Sequence, residues 1–265
     1  DYYSPCDNPR DQVLVLGNKI IETPCIWRKR YFENDLLKNI FSKKSTLGAD
    51  WIVAPKPLMK DESFDLEYAR KSKNINIDWN HYDQLDKKFE MMFDGAQCLK
   101  FGEDIIMNVA NENHKMGLRW LESIIGDTYR IHPVTLCDHH IDSMFMPLAP
   151  GKLLINPESM LSQIEQLPKA LQKWDRIMVP EKCLPSAHLH LASANIYTNV
   201  LPLGNNRIMV FSEEHLEQFE LVKTLERNNF EVVHVRLRHS RLFGGGAHCV
   251  TLDLNRDEKL ENYFS

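Results

Sequence analysis

No stretch of this 265-residue chain is apolar for long enough to cross a bilayer as a helix. No basic stripe runs through it either. Its 32 Lys and Arg are scattered among 37 Asp and Glu, for a formal charge of −5, so nucleic acid is not an expected partner. The opening residues, DYYSPCDNPRDQ, carry no signal-peptide pattern. The six cysteines (Cys6, Cys25, Cys98, Cys137, Cys183 and Cys249) are dispersed, not packed into the framework of a small secreted domain. They read as reduced thiols of a cytoplasmic protein, most of them filling space in the core. Two loose groupings, Cys137–Asp138–His139–His140 and Cys183 with His188 and His190, match no closed zinc spacing; neither a metal nor a cofactor is expected.

What is present is globular in composition, 43% hydrophobic and 26% charged, and long enough to bury a real core. One pattern recurs four times: a short apolar strand, a polar turn, a helix, and a second short strand. The copies are Val13–Asn18, a helix around Tyr31–Phe41 and Trp51–Pro55; then Asp104–Val109, a helix around Lys115–Ile125 and Tyr129–Val134. The third is Lys152–Pro157, helical sequence to Trp174 and Arg176–Pro180, and the fourth Arg207–Ser212, a helix to about Arg227 and Phe230–Val235. Met116, Trp120 and Ile124 fall on one helical face, as do Leu221 and Leu225. The near-continuous apolar strands suit a sheet covered on both sides. Repeated α/β units are therefore expected, with an ordinary doubly wound sheet as the other way to alternate strand and helix. Three long segments without such a pattern, Lys56–Lys88, Leu136–Gly151 and Pro180–Asn199, interrupt the repeats.

Reactive side chains lie far apart in the sequence. Cys249 follows three glycines and a histidine in RLFGGGAHCVTLDL. Glycines permit turns closed to other residues and a close approach of substrate to backbone; a thiolate there would be a nucleophile. His140 and Asp142, two apart, share a face if the segment is extended. Asp94, in FEMMFDGAQ, is either a cap before Gly95 or the carboxylate that orients a histidine. Asp11, before the first strand, is otherwise a common turn residue. A nucleophile, a base and carboxylates are the parts for covalent chemistry on a cationic substrate.

In order along the chain, PRDQVLVLGNKIIETP, RKRYFE, APKPLMKDE, FEMMFDGAQ, HIDSMFMPLAPGKLLINPE, GGGAHCVTLDL and ENYF resemble the arginine amidinotransferase family, with HIDSMFMPLAPGK nearest its saxitoxin-pathway branch. The resemblance implies a pentein fold, a propeller of five α/β modules around a central site. Residues 1–265 would form a single catalytic domain that begins after the family's N-terminal module. It implies that Cys249 is the nucleophile, His140 the general acid/base and Asp94 its orienting carboxylate, with Asp11 and Asp142 binding the guanidinium. One member of a serine pair falls on Ser193, where the other position is Ala192, and a carboxylate-binding arginine falls on Ser159. The implied substrates are L-arginine and an acceptor amine, the implied products ornithine and a new guanidino compound, and the implied assembly a homodimer. A guanidine hydrolase of the same class, a non-catalytic binding relative and a metal-dependent hydrolase are the alternatives.

Overall fold

The computed structural model describes residues 7–60, 63, 90–180, 196–211, 218–237, 242, 244–256 and 260–264. Their strands form four three-stranded sheets: β1 (Val13–Leu16), β2 (Lys19–Glu22) and β3 (Asp50–Val53); β4 (Cys98–Phe101), β5 (Asp104–Asn108) and β6 (Arg130–Val134); β7 (Phe145–Ala149), β8 (Lys152–Ile155) and β9 (Asp175–Met178); β10 (Leu201–Gly204), β11 (Arg207–Phe211) and β12 (Glu231–Val235). All four share one plan. The first two strands make an antiparallel hairpin, and the third returns parallel to the second. The parallel return needs a crossover. It is α1 (Lys38–Thr46) in the first unit, α2 (Glu112–Ile125) in the second and α3 (Phe219–Arg227) in the fourth. In the third it is a series of short turns between Pro157 and Gln172.

Four repeated units were expected, and four are found. The hairpins were not expected. The strand opening the first copy, Val13–Asn18, turns out to be the outer hairpin strand, and the one leading to the crossover is Lys19–Glu22. The outer strands β4, β7 and β10 were likewise missed, and β7 lies inside the supposedly irregular Leu136–Gly151. Each is four or five residues long and joined to its partner by a two-residue turn, too short for a periodic signal. The first helix also starts later than expected, at Lys38, because residues 28–36 form two 3₁₀ turns.

Helix α2 shows how sequence sets an element. Asn111 caps it by accepting the His114 N–H at 2.9 Å, and Gly126 (φ 63°) stops it. Its buried stripe is Gly117, Leu121 and Ile125, one residue round from the expected Met116–Trp120–Ile124 face, which flanks it. A Cβ on Gly117 would strike the Phe93 ring, so this glycine makes the notch that seats Phe93 beside Asp94. On α3 the expected Leu221 and Leu225 are buried.

The cores run between units. One cluster joins β4, β7, β8 and β11 through Phe101, Phe145, Leu154 and Ile208; another joins the first and second units through Leu14, Ile21, Phe93 and Ile105. The ENYF segment straps the second and third units. The Glu103 N–H donates to Glu261 O at 2.9 Å, Phe264 packs on Phe101, and Tyr263 packs near Trp174.

Candidate active site

Each hairpin is reached through a short turn, and these turns carry the polar side chains. The helical turn Pro9–Gln12 leads into β1, the 3₁₀ turn Gly95–Gln97 headed by Asp94 into β4, and the 3₁₀ turn Ile141–Ser143 headed by His140 into β7. Asn199 precedes β10, and Cys249 follows β12. Hydrogen bonds link these pieces in a closed circuit. Gln12 Nε2 donates to Asp94 Oδ1 (3.0 Å) and His140 Nε2 to Asp94 Oδ2 (2.9 Å). Asn199 Nδ2 donates to Asp142 Oδ2 (2.9 Å), and Asn199 Oδ1 accepts the backbone N–H groups of Gly246 and Cys249 (3.0 Å each). Arg10 Nε completes the circuit by donating to the carbonyls of His248 (2.7 Å) and Thr251 (2.8 Å).

Two glycines make these approaches possible. A Cβ on Gly95 would lie 2.7 Å from Arg10 O and 2.9 Å from Val13 O, so only glycine lets the Asp94 turn close on the Asp11 turn. A Cβ on Gly246 would lie 2.6 Å from Asn199 O. Both are well inside ordinary contact.

Cys249 is buried, and its Sγ lies 3.3 Å from Asp142 Oδ2 and 3.0 Å from Asn199 Nδ2. Burial pushes this thiol well above its ordinary range, with Asp142 and Asp11 adding to the effect and Asn199 opposing it. The resting sulfur is therefore a neutral thiol donating to Asp142. Cys25, Cys98 and Cys137 are also buried and pushed up to about 12, chiefly by burial. Among the described cysteines, only Cys249 has its sulfur hydrogen-bonded to a carboxylate.

Asp142 Oδ2 also accepts from His248 Nδ1 at 2.8 Å. Burial alone would raise Asp142, but His248 and His140 outweigh it and the carboxyl falls to about 2. His248 is itself held neutral, lowered to about 4 by burial and by Arg10 against the pull of Asp142. Asp11 is raised by burial although Arg30 Nη1 donates to its Oδ2 at 2.6 Å. Its Oδ1 has no hydrogen-bond partner in its buried position and lies 3.7 Å from His140 Nδ1. Arg30 is fixed in turn by a two-pronged pair to Glu33 at 2.8–2.9 Å. Burial opposes a charge on His140, but Asp11, Asp94 and Asp142 raise it to about 9.

The sequence-predicted residues Cys249, His140, Asp94, Asp11 and Asp142 thus share one buried cluster. Two readings need correction. His140 and Asp142 do not share an extended strand; His140 heads a 3₁₀ turn containing Asp142. Asp94 stands at the head of its turn, where its N–H donates to Gln97 Oε1 (2.8 Å), and its carboxylate holds His140, so the position at the cap and the partner role go together. Ser193 and Ala192 lie outside the described residues. Ser159 sits in the turn Pro157–Met160 with its hydroxyl buried and unpaired.

No family model matches the chain. Among curated relatives, it is 36% identical over 264 residues to the L-arginine:L-lysine amidinotransferase of Pseudomonas savastanoi pv. phaseolicola, across 97% of this chain and 68% of that protein. The chain belongs to the amidinotransferase family. It spans 60% of the mitochondrial glycine amidinotransferase of Gallus gallus, at 35% identity. Its fold superposes on the solved amidinotransferase SxtG of the saxitoxin biosynthetic pathway in Microseira wollei with a TM-score of 0.82 and 33% identity, over 97% of this chain and 72% of that one. The dimethylarginine dimethylaminohydrolase of Pseudomonas aeruginosa, at 14% identity and a TM-score of 0.61 over 94% of this chain and 77% of that one, shares the fold.

Within this cluster, Asn199, His248, Arg30, Gln12 and Gln97 were not singled out from sequence. Arg30 lies in RKRYFE, Gln12 in PRDQVLVLGNKIIETP, Gln97 in FEMMFDGAQ and His248 beside Cys249, so motif membership could have flagged those four. For Asn199 no local signal exists, because its partners are 47 to 57 positions away.

Proposed function

We propose that the chain moves the amidino group of L-arginine to an acceptor amine through a covalent intermediate on Cys249, releasing ornithine. The observation that carries this reading is one buried cluster in which the Cys249 thiol touches Asp142 while Asp11 presents an unpaired carboxylate oxygen toward His140. The four like-built units, linked by the turn circuit, support a pentein propeller formed by 1–265 as one catalytic domain.

A guanidinium is planar and stays cationic, and its N–H edges match carboxylates. Bound between Asp11 and Asp142, it neutralises the charges that hold the thiol proton, and that proton is released to solvent. The thiolate attacks the central guanidino carbon, forming the S–C bond and a neutral tetrahedral centre. His140, charged at rest, gives its proton to the side-chain nitrogen of the arginine. That C–N bond then breaks, ornithine leaves as a neutral amine, and a cationic amidino-thioether remains on Cys249. The acceptor amine attacks the same carbon, and neutral His140 takes its extra proton. The C–S bond breaks to regenerate the thiolate and release the new guanidinium. Asp94 holds the imidazole and stabilises its charged form.

Incubation with arginine and candidate amines tests the reading. Ornithine with a new guanidino product supports transfer. Citrulline and ammonia would assign the site to hydrolysis instead.

A further inference from the structure

Asn199 is buried, yet both ends of its amide are engaged. Oδ1 accepts the Gly246 and Cys249 N–H groups, which suffices to hold the nucleophile's loop. The Nδ2 end does something else, facing the Cys249 sulfur at 3.0 Å and Asp142 Oδ2 at 2.9 Å, with one proton available for each. While the sulfur carries its own proton, it can donate to Asp142 at 3.3 Å. Once that proton is lost, the contact pits one anion against another, and the Asn199 amide is the donor left on the sulfur.

We propose that Asn199 is a further member of the catalytic group, its Nδ2 donor holding the ionised sulfur of Cys249 while fixing Asp142 beside it. One amide thereby sets the spacing between the attacking atom and a carboxylate placed to bind the guanidinium. The inference rests on reading Cys249 as the nucleophile. The other charged or titratable groups around the sulfur are Asp142 from the turn Ile141–Ser143, Asp11 from the turn Pro9–Gln12, His248 next to it in sequence, and His140 behind the two carboxylates. Both carboxylates disfavour the thiolate, and the Asn199 amide opposes them.

The test is the rate of Cys249 alkylation by iodoacetamide, without arginine, followed by peptide mass spectrometry across alkaline pH. Asn199→Asp keeps an oxygen for the two backbone N–H groups but removes the donor. The expected result is a loss of roughly tenfold in rate wherever the pH lies below the thiol's pKa, the equivalent of about one pKa unit, with the difference shrinking once the pH exceeds it. If Asn199 served only as a loop anchor, the retained oxygen would keep the loop in place and leave the rate unchanged. An equal or faster rate in a variant with native circular dichroism overturns the proposal. Should that variant not fold, the ¹⁵N-labelled wild-type protein gives a second readout. The Asn199 side-chain amide resonances must move when Cys249 is carbamidomethylated, and their indifference would also overturn the proposal. Neither readout uses arginine, so a failure here is distinguishable from a failure to transfer the amidino group.

Discussion

His140 has Asp94 on one ring nitrogen at 2.9 Å and Asp11 3.7 Å from the other. With a pKa of about 9 it carries at neutral pH the proton that the proposed mechanism gives to the departing amine. Its replacement by alanine is expected to reduce both ornithine release and amidino transfer by roughly 10²–10⁴-fold, the usual worth of general acid–base assistance. Single-turnover kinetics with arginine alone, then with the acceptor, separate the two steps. Loss of only one would contradict a single residue serving both. Asp94→Asn removes a negative charge from this histidine, so an NMR titration should place the His140 midpoint below that of the wild type. At this scale the family resemblance singled out Cys249, His140 and Asp94 through distinctive local runs, and the fold brings them into one cluster. The sequence was silent on Asn199 and gave only a weak hint of Arg30, whose roles arise from partners brought together by folding.

Among the elements, the inner strands β5 and β8 and the crossover helices α2 and α3 were legible because the strands are apolar runs and the helices carry one-sided faces, whereas β2 was missed and the third crossover, expected to be helical, is a series of short turns. The outer strands β4, β7 and β10 were not, since four or five residues hold too little alternation to read. Their signal was in the turns instead. Gly17 (φ 58°) and Gly102 (φ 62°) each adopt the left-handed backbone that two-residue hairpins favour. The turns leading into those hidden strands carry most of the site, so the site depends on glycines that let them close. Gly246→Ala would put a methyl group 2.6 Å from Asn199 O. It should cost about 1–3 kcal/mol of stability and a larger share of activity, because the strain falls on the residue holding Cys249. Denaturant unfolding alongside kcat measurement checks this, and an alanine variant with unchanged stability and kcat would contradict the packing described.

For the molecule as a whole, buried histidines set the response to pH. His114 accepts from the Ala110 N–H at 3.1 Å and is lowered to about 4 by burial, as His248 is by burial and Arg10. A folded pKa below the unfolded one means that the unfolded chain binds more protons between these values. Stability contributed by neutral His114 and His248 is therefore present above about pH 6.5 and lost as pH falls toward 4. His140 has the opposite sign: its contribution is full below about 6.5 and is lost as pH rises through about 9. Unfolding free energy should thus decline on both sides of neutrality, the acid arm by on the order of 3 kcal/mol for His114. His114→Gln should flatten the acid arm; an unchanged slope would assign it to other groups. The central claim, that the buried cluster makes Cys249 the carrier of an amidino group, is tested most directly by mass spectrometry after exposure to arginine labelled in its guanidino carbon. The account predicts the label on Cys249, with ornithine released in equal amount and no adduct in Cys249→Ser. Label on another cysteine, or product formed while Cys249 stays unmodified in rapidly quenched samples, would contradict it.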